Sequence, residues 1–359
     1  MVDSKQAPLD SAAAAKAAFA SVQDKPFPDD IFTAPELRWT VIGCGVIANQ
    51  MAQSLALAGR KLAGVANRTL SKAQAFAEQY GIEKVYESVE DLYADPGIDA
   101  VYITTPHNTH ITYLRDALAA GKHVLCEKAI TLNSAELDEA RAIADEHNVV
   151  LMDATTVLHM PLYQELRRRM DAGEFGRMNL AQLNFGSYKE YGDLTNRFYN
   201  RNLAGGAMLD IGVYALSVMR LFMASQPIEV VSLGNTCETG VDVAGGIVCR
   251  NAEQQLGVVS LTLHSKQPKR SIISFDKCYI EVNEYPRADH ATIVWTADGH
   301  REEVHAGTEA YALCYEMADL EKAVAGDDSK RELLDYASDV MELMTKLRAD
   351  WGVVYPEEE

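Results

Sequence analysis

Lysine and an acid–tyrosine pair are the residues of this 359-residue chain best suited to moving a proton. Lys128 follows a short apolar run, so we expect it at the carboxyl end of a strand, where parallel sheets bind ligands. Its ammonium could carry the proton exchanged at a substrate oxygen during hydride transfer. Asp210 and Tyr214 are four residues apart, so on a helix they share a face and could converge on one ligand. Two structural alternatives stay open: an exposed Lys128 paired with Glu127, and a helix-starting carboxylate beside a buried tyrosine.

A glycine-rich turn follows the first apolar run of the chain. Residues Gly43–Ala48 read G-C-G-V-I-A, which matches the G-x-G-x-x-A pattern of a dinucleotide-binding strand–turn–helix. Gly43 would allow the tight turn, and Gly45 would let the backbone approach a pyrophosphate. Val46 and Ile47 would open the helix, whose free N–H groups and positive dipole end favour phosphate. The turn therefore predicts a cofactor site.

The residues after the second predicted strand bear on which dinucleotide binds. NAD-preferring folds usually place a carboxylate here for the ribose hydroxyls, but this chain has Asn67 and Arg68. Lys72 lies one helical turn further on, in a helix for which Ser71 is the expected N-cap. Because these cations would attract a 2′-phosphate, we expect NADP as the cofactor. A solvated Arg68 and Lys72 with an Asn67 ribose contact would be compatible with NAD.

The loop after the fourth predicted strand reads T-T-P-H-N-T-H. Thr105 and Pro106 would form a turn beside the cofactor, and His110 would contact it as the next helix begins. His107 and His110 are three residues apart, but no acidic or cysteine partner accompanies them. We therefore expect no metal site.

The order of strands and helices predicts two domains after an N-terminal arm. Residues 1–37 would form the arm. In residues 38–155 short strands alternate with longer helices, which favours a Rossmann-type parallel sheet. Residues 156–359 are mostly consecutive strands, which favours an α+β domain with a large, meandering, mostly antiparallel open sheet. The helical stretches Glu309–Val324 and Lys330–Arg348 could return to the first domain.

Composition narrows the range of partners and locations. The formal net charge of −19 disfavours nucleic acid and anionic membrane as partners. No apolar run approaches the roughly 18 residues of a membrane-spanning helix. Six scattered cysteines without C-x-x-C spacing fit free thiols in a reducing, cytoplasmic setting. The alanine-rich stretch Ser11–Ala20 lacks the basic start and unbroken apolar core of a secretory signal, so we expect a helix or arm there.

Taken in order, these segments resemble the glucose–fructose oxidoreductase/inositol dehydrogenase (Gfo/Idh/MocA) family. The resemblance implies a catalytic role for Lys128, and it places the family's helical Asp and His on Asp210 and Tyr214. A tyrosine at the second position is similar to the dihydrodiol dehydrogenase-like branch. Glu127, beside Lys128, would then adjoin the cofactor. The segments that carry the resemblance are GCGVIA, ANRTLSKA, TTPHNTH, CEKA and GGAMLDIGVY.

Three departures from the family pattern affect the expected site. Tyr214 replaces the usual His, so Lys128 could be the sole proton donor. Ala129 replaces the proline that usually follows the lysine. Val157 and Leu158 stand where the family often has an arginine, so one cofactor contact is in question.

The resemblance implies an NAD(P)-dependent oxidoreductase that interconverts a secondary alcohol and a ketone on a sugar, polyol or related cyclic substrate. It also implies a homodimer or homotetramer. Two alternatives on the same fold are a non-catalytic sugar or nucleotide sensor and a glycoside-cleaving enzyme with tightly bound NAD. Three residues in the loop before the glycines of the second domain are the expected substrate contacts: Tyr188, Arg197 and Tyr199.

Overall fold

The first half of the chain forms a parallel sheet with helices on both faces. The structure, a computed structural model, describes residues 11–23 and 25–359. The six strands lie in the order β3-β2-β1-β4-β5-β6, and all pairs are parallel. This is the predicted Rossmann-type sheet. The strands are β1 (Trp39–Ile42), β2 (Gly64–Ala66), β3 (Lys84–Tyr86), β4 (Ala100–Ile103), β5 (His123–Cys126) and β6 (Leu151–Asp153).

Six helices belong to this half of the chain within the described residues. Asn133 caps the last of them, its side chain accepting a hydrogen bond from the Glu136 N–H. The predicted cap Ser71 is wrong: the third helix begins at Leu70, and the extended residue before it is Thr69. The helices are α1 (Ser11–Val22), α2 (Val46–Leu57), α3 (Leu70–Tyr80), α4 (Val89–Ala94), α5 (His110–Ala119) and α6 (Ser134–Glu146).

The second half is built on an eight-stranded sheet in the order β14-β13-β12-β11-β7-β10-β9-β8. The sheet is mostly antiparallel, as predicted, but it is not a simple meander. Strand β7 lies between β11 and β10 and runs parallel to β10. The strands are β7 (Met178–Gly186), β8 (Glu229–Thr236), β9 (Asp242–Arg250), β10 (Leu256–Thr262), β11 (Gln267–Phe275), β12 (Cys278–Asn283), β13 (His290–Trp295) and β14 (Arg301–His305).

One face of the large sheet is covered and the other is open. The helices α7 (Pro161–Asp171) and α8 (Val213–Phe222) belong to this half, and α8 packs on the covered face of the sheet with its apolar side chains buried. The apolar stretch Arg201–Phe222 is long enough to cross a membrane, but 78% of it is buried inside the protein, as a core helix would be. On the open face, Val231 and Leu233 of β8 are 75% and 83% exposed.

The last helices are α9 (Ala312–Val324), α10 (Asp328–Arg331) and α11 (Leu333–Asp350). Helix α9 packs on the parallel sheet, α11 packs on α8, α6 and β6, and the short α10 contacts α9 and α11. The buried Glu321 of α9 accepts a hydrogen bond from Trp39 Nε1 at 3.0 Å and pairs with Arg60 Nη1 at 2.9 Å. Helix α1 lies against the start of α9, where Val22 and Tyr311 share a small core. Residues 1–10 of the predicted arm lie outside the described residues.

Candidate active site

The two glycines of the β1–α2 turn occupy different environments. Gly43 has φ +105°, and a Cβ placed there would lie 2.7 Å from Thr104 Oγ1. Its conformation and its close contact with the neighbouring strand end both require glycine. Gly45 is the N-cap of α2 with φ −79°, and a Cβ there would meet no atom within 4 Å. The space above Gly45 and the exposed Val46 beside it fits a pyrophosphate at a helix N-terminus.

The side chains expected around the adenosine ribose lie beside this turn. Asn67 donates from Nδ2 to the Thr69 carbonyl at 3.0 Å, which fixes the start of α3. Arg68 and Lys72 are exposed, and neither forms an ion pair with another residue in the described part of the chain. Burial raises the pKa of the Cys44 thiol to about 11, and the nearby charge of Lys72 opposes that rise. Lys72 therefore acts on the turn where a dinucleotide would bind.

His110 is a structural link between two strand-end loops. It is fully buried, with Nδ1 3.0 Å from the Ala129 carbonyl and Nε2 2.8 Å from the Thr105 carbonyl. The prediction that His110 contacts the cofactor is therefore wrong, because the ring has no open surface. Thr105 and Pro106, on the same loop, remain accessible.

Lys128 reaches across from the first sheet to the second half of the chain. Its Nζ donates to the Asp210 carbonyl at 2.8 Å and lies 3.1 Å from Asp210 Oδ1. The same ammonium is 5.1 Å from the centre of the Tyr214 ring. The side chain is 12% exposed, and Glu127 instead accepts a short hydrogen bond from Tyr102. The alternative of an exposed lysine paired with Glu127 is therefore wrong.

The electrostatics of this contact favour the charged forms of both Lys128 and Asp210. Burial is the largest single effect and works to lower the pKa of Lys128, but Asp210, Tyr214 and Glu127 together outweigh it and the pKa is raised. Burial likewise works to raise the pKa of Asp210, yet Lys128 and then Arg197 lower it to about 2. Burial raises the pKa of Tyr214 against the opposing charge of Lys128. The resting site thus holds an ammonium, a carboxylate and a neutral phenol.

Asp210 lies in a widened turn at the start of α8. Residues Met208–Gly212 form a π-helical turn that leads directly into the α-helix. The Met208 N–H donates to the buried carboxylate of Asp242 at 2.6 Å, which anchors the turn. Gly206, just before it, has φ +124°, and a Cβ there would collide with Asp242. The predicted sharing of one helix face by Asp210 and Tyr214 is seen in their common approach to Lys128.

The three expected substrate contacts have different environments. Tyr188 is 61% exposed and Arg197 has a 61% exposed side chain, with Nη2 3.7 Å from Asp210 Oδ1. Both are open to a ligand. Tyr199 is fully buried and donates its hydroxyl to the Lys189 carbonyl at 3.0 Å. The prediction for Tyr199 is therefore wrong, because a side chain without surface cannot touch substrate.

His107 belongs to the site, although its sequence context suggested only a turn. Its Nδ1 lies 3.4 Å from the Ala204 carbonyl of the second half. Burial, then the charges of Lys128 and His110, lower the pKa of His107 to about 3, so the imidazole is neutral. In the sequence, the indication of this role was the position of His107 in a strand-end loop, three residues before His110. Its contact across to Ala204 carried no signal in the sequence.

Two further expectations concern a metal site and the position at which the family often has an arginine. Within residues 11–23 and 25–359, the structure shows no group of three or more His, Cys, Asp or Glu side chains that could hold a metal ion. Val157 and Leu158 are buried in a short 3₁₀ turn, so neither side chain is open to a cofactor. Ala129 is buried as well, and its peptide bond to Lys128 is cis.

Comparison with known families decides the classification. Residues 37–155 match the model of the GFO_IDH_MocA oxidoreductase family with an NAD-binding Rossmann fold, and residues 163–281 match the GFO/IDH/MocA C-terminal domain. The chain belongs to the Gfo/Idh/MocA family. As a Gfo/Idh/MocA protein it is an oxidoreductase that binds a nicotinamide dinucleotide, which confirms the expected class of cofactor and of enzyme.

Dihydrodiol dehydrogenases are among the proteins that are similar in sequence to this Gfo/Idh/MocA chain. The trans-1,2-dihydrobenzene-1,2-diol dehydrogenase of Mus musculus is 32% identical over 254 residues, covering 69% of this chain and 75% of the mouse protein. The Sus scrofa enzyme of that name is 28% identical over 340 residues, covering 90% of this chain and 99% of the pig protein. The predicted resemblance to the dihydrodiol dehydrogenase-like branch is confirmed.

Solved structures share the fold of this family member. A 3-ketoreductase from Actinomadura kijaniata, in complex with NADP and TDP-benzene, has a TM-score of 0.75 and 24% identity, covering 88% of this chain and 98% of the reductase. A levoglucosan dehydrogenase, in complex with NADH and levoglucosan, has a TM-score of 0.76 and 19% identity, covering 87% and 97%. At these identities the likeness establishes the fold.

The two glycines of the turn should respond differently to alanine. Gly45→Ala adds a methyl group to open space, so we expect an unchanged melting temperature and dinucleotide binding weakened about tenfold or more, or about 1.4 kcal/mol. Gly43→Ala strains a left-handed residue against Thr104, so we expect a loss of about 1–3 kcal/mol of stability. Thermal unfolding and fluorescence titration with NADPH measure both. Unweakened binding by the Gly45→Ala protein would remove this turn from the cofactor site.

Proposed function

We propose that this protein is an NAD(P)-dependent oxidoreductase that interconverts a secondary alcohol and a ketone on a sugar, polyol or related cyclic substrate. The observation that carries the proposal is the 2.8 Å contact between Lys128 Nζ and the Asp210 carbonyl. It joins the carboxyl end of a cofactor-sheet strand to a helix of the second half, as a hydride-transfer site requires. The names of the relatives point the same way, since they describe a cyclic-diol dehydrogenase, a 3-ketoreductase and a levoglucosan dehydrogenase.

The residues of the site divide the chemistry between binding and proton transfer. A bound nicotinamide would supply or accept the hydride. Lys128 would hydrogen-bond the reacting substrate oxygen, donating a proton in reduction as the ammonium and accepting one in oxidation as the neutral amine. Asp210 would accept a hydrogen bond from a neighbouring hydroxyl while it keeps the ammonium oriented. Tyr214, whose phenol stays neutral, would donate a further hydrogen bond to the substrate oxygen.

The rim of the site provides the contacts for the rest of the substrate. Arg197 stacks its guanidinium on the Phe198 ring, with Cζ 4.3 Å from the ring centre, and its side chain is 61% exposed, so it is open to a substrate. Tyr188 offers an exposed aromatic face nearby in the same loop. Hydroxyl-bearing rings present both polar edges and apolar faces, which suits this pairing. A non-catalytic sensor would have no use for the ammonium of Lys128 held against Asp210.

We propose NADP as the preferred cofactor. The support is the pair Arg68 and Lys72, exposed beside the second strand end where no carboxylate follows the strand. A 2′-phosphate would be stabilised by charge-assisted hydrogen bonds to these cations. NAD would bind through the same turn without them.

We further propose that the protein is a homodimer or homotetramer paired through the open face of the large sheet. Val231 and Val248 are cross-strand neighbours on β8 and β9, and both are exposed. With Leu233 they form an apolar patch at one end of the sheet, whereas Glu281 and Glu303 lie on the same face at the other end. Exposed apolar patches of this kind usually mark association sites. A cytoplasmic location fits the six free cysteines.

Replacing the proposed acid/base residue tests the mechanism. A Lys128→Met protein should keep NADPH affinity and lose turnover by about 100-fold or more, because the proton at the reacting oxygen would have no carrier. Absorbance of reduced nicotinamide, with a panel of sugars and polyols and both cofactors, measures turnover. Lys61→Met, at an exposed site paired with Glu83, is the matched control and should behave as the parent protein. Unchanged turnover in Lys128→Met would remove the lysine from the mechanism.

Cofactor preference should reside in the two cations of the α3 region. The double variant Arg68→Gln/Lys72→Gln should lose NADPH affinity by about tenfold or more, equivalent to about 1.4 kcal/mol, and keep NADH affinity. Fluorescence titration with each cofactor measures the two constants, with Lys61→Gln as the control. Equal affinity of the parent protein for NADPH and NADH would contradict the preference.

A charge on the open sheet face should disrupt subunit association. Leu233→Asp places a carboxylate in the centre of the apolar patch, so we expect a shift toward monomer, since desolvating an unpaired charge is costly. Light scattering coupled to size exclusion measures the mass. Ala297→Asp, in the exposed turn between β13 and β14, is the control. A parent protein that is monomeric at micromolar concentration would contradict the proposal.

A further inference from the structure

The last nine residues, 351–359, run across the seam between the two sheets and contact loops of both. We name this segment the strap. We propose that the strap positions the loop following Lys128 against the loop that carries Asp210, with Tyr355 and Glu358 as its positioning residues. The inference rests on the function proposed above, because it concerns the geometry of that same site.

The strap is anchored on the covered face of the large sheet. The Trp351 indole lies against Gly234 and Gly245, which face each other across β8 and β9 and where any Cβ would collide with the ring. Its Nε1 donates to Ser232 Oγ at 3.0 Å. Val353, two residues on, is buried in the core. These two cross-strand glycines therefore leave room for the indole ring, and the ring determines where the strap begins.

On the cofactor side, the strap holds the loop that follows β5. The Glu358 carboxylate accepts hydrogen bonds from the buried Arg348 at 2.8 and 2.9 Å and from Asn133 Nδ2 at 3.0 Å. Arg348 donates to the carbonyl of Leu132, four residues after Lys128. A buried guanidinium needs such an anionic partner, so Glu358 fixes Arg348 and, through it, this loop.

The strap also holds the loop that follows β4. Asn108 Nδ2 donates to Glu357 Oε1 at 2.7 Å and to the Asn202 carbonyl of the second half at 3.2 Å. This places a strap carboxylate at a point where the two halves of the chain already meet.

On the substrate side, the strap is hydrogen-bonded to the loop before the π-helical turn. The buried Tyr355 donates its hydroxyl to the Gly205 carbonyl at 2.7 Å, and Arg201 Nε donates to the Val354 carbonyl at 2.7 Å. Gly205 packs so closely on the backbone of Arg197 that a Cβ there would lie 2.6 Å from the Arg197 carbonyl. The loop gripped by Tyr355 therefore continues directly into Asp210 and also supports Arg197.

These contacts make the strap a spacer between the two partners of the site. Lys128 belongs to one tethered loop and Asp210 to the other, and their contact is 2.8 Å. Loosening either tether would let the loops separate without removing any group that touches substrate. Misplacement of reacting groups by about 1 Å costs up to about 100-fold in rate.

The test compares two buried tyrosines that make the same kind of bond. Tyr355→Phe removes the hydroxyl from Gly205, and Tyr163→Phe removes one that donates to the Tyr285 carbonyl, also at 2.7 Å, outside the strap. Both variants lose one buried hydrogen bond, so both should lose stability to a similar extent. We expect kcat to fall about tenfold or more in Tyr355→Phe, and to stay at the parent value in Tyr163→Phe.

The pH profile separates positioning from simple destabilisation. The groups facing Lys128 are Asp210, Tyr214 and Glu127, which raise its pKa, and Arg197, which lowers it together with burial. If Asp210 moves away, burial dominates and the pKa of Lys128 falls. In the pH–rate profile, the midpoint that reports the titration of Lys128 should then move to lower pH in Tyr355→Phe. It should stay in place in Tyr163→Phe.

Hydrogen exchange gives a readout that needs no substrate, so failure of the strap and failure of the proposed function can be told apart. Amides of residues 206–214 should exchange faster in Tyr355→Phe than in Tyr163→Phe. Glu358→Gln, which keeps the shape of the side chain, should act like Tyr355→Phe and serves if that variant does not fold. Equal kcat, equal pH midpoints and equal exchange in the two tyrosine variants would overturn the positioning role.

Discussion

The contact between Lys128 and Asp210 is the constraint on which the rest of the structure depends. A buried ammonium is stable only beside an anion, and a buried carboxylate only beside a cation or donors. Each of these groups therefore needs the other, yet they come from different sheets. The fold must bring a strand end of the parallel sheet within hydrogen-bonding distance of a helix that rests on the antiparallel sheet. The loops on both sides must therefore hold Lys128 and Asp210 at that distance from each other.

Each half meets this requirement by fixing backbone through buried polar groups. On the cofactor side, the buried His110 ring lies between the carbonyls of Thr105 and Ala129 and so bridges the loops after β4 and β5. On the other side, the Asp242 carboxylate holds the first N–H of the π-helical turn. None of these side chains is placed to touch substrate. Their burial shows that much of the polar chemistry around the site stabilises backbone rather than ligand.

The sequence was sufficient for features that depend on neighbouring residues. The glycine turn, the alternation of strands and helices and the strand-end position of Lys128 follow from local pattern, and the structure has all three. Apart from the cap of α3, the errors concern features set by tertiary contacts. His110 and Tyr199 have side chains suited to ligands, but only the fold shows that both are enclosed. Likewise, the parallel pairing of β7 with β10 joins strands about 70 residues apart, which turn signals between adjacent strands cannot reveal.

The π-helical turn at Met208–Gly212 has a consequence for sequence variation. A turn of this kind holds one more residue than the α-helical turn it replaces, so it behaves as a single-residue insertion within a helix. Deleting one residue between Asp210 and Tyr214 would leave a regular α-helix, because the widened turn absorbs its extra residue locally. Asp210 and Tyr214 would then lie three residues apart, a spacing that also shares one helix face. In an alignment of relatives, a one-residue gap at this turn would therefore not by itself mark a different site, where lysine, aspartate and tyrosine are all retained.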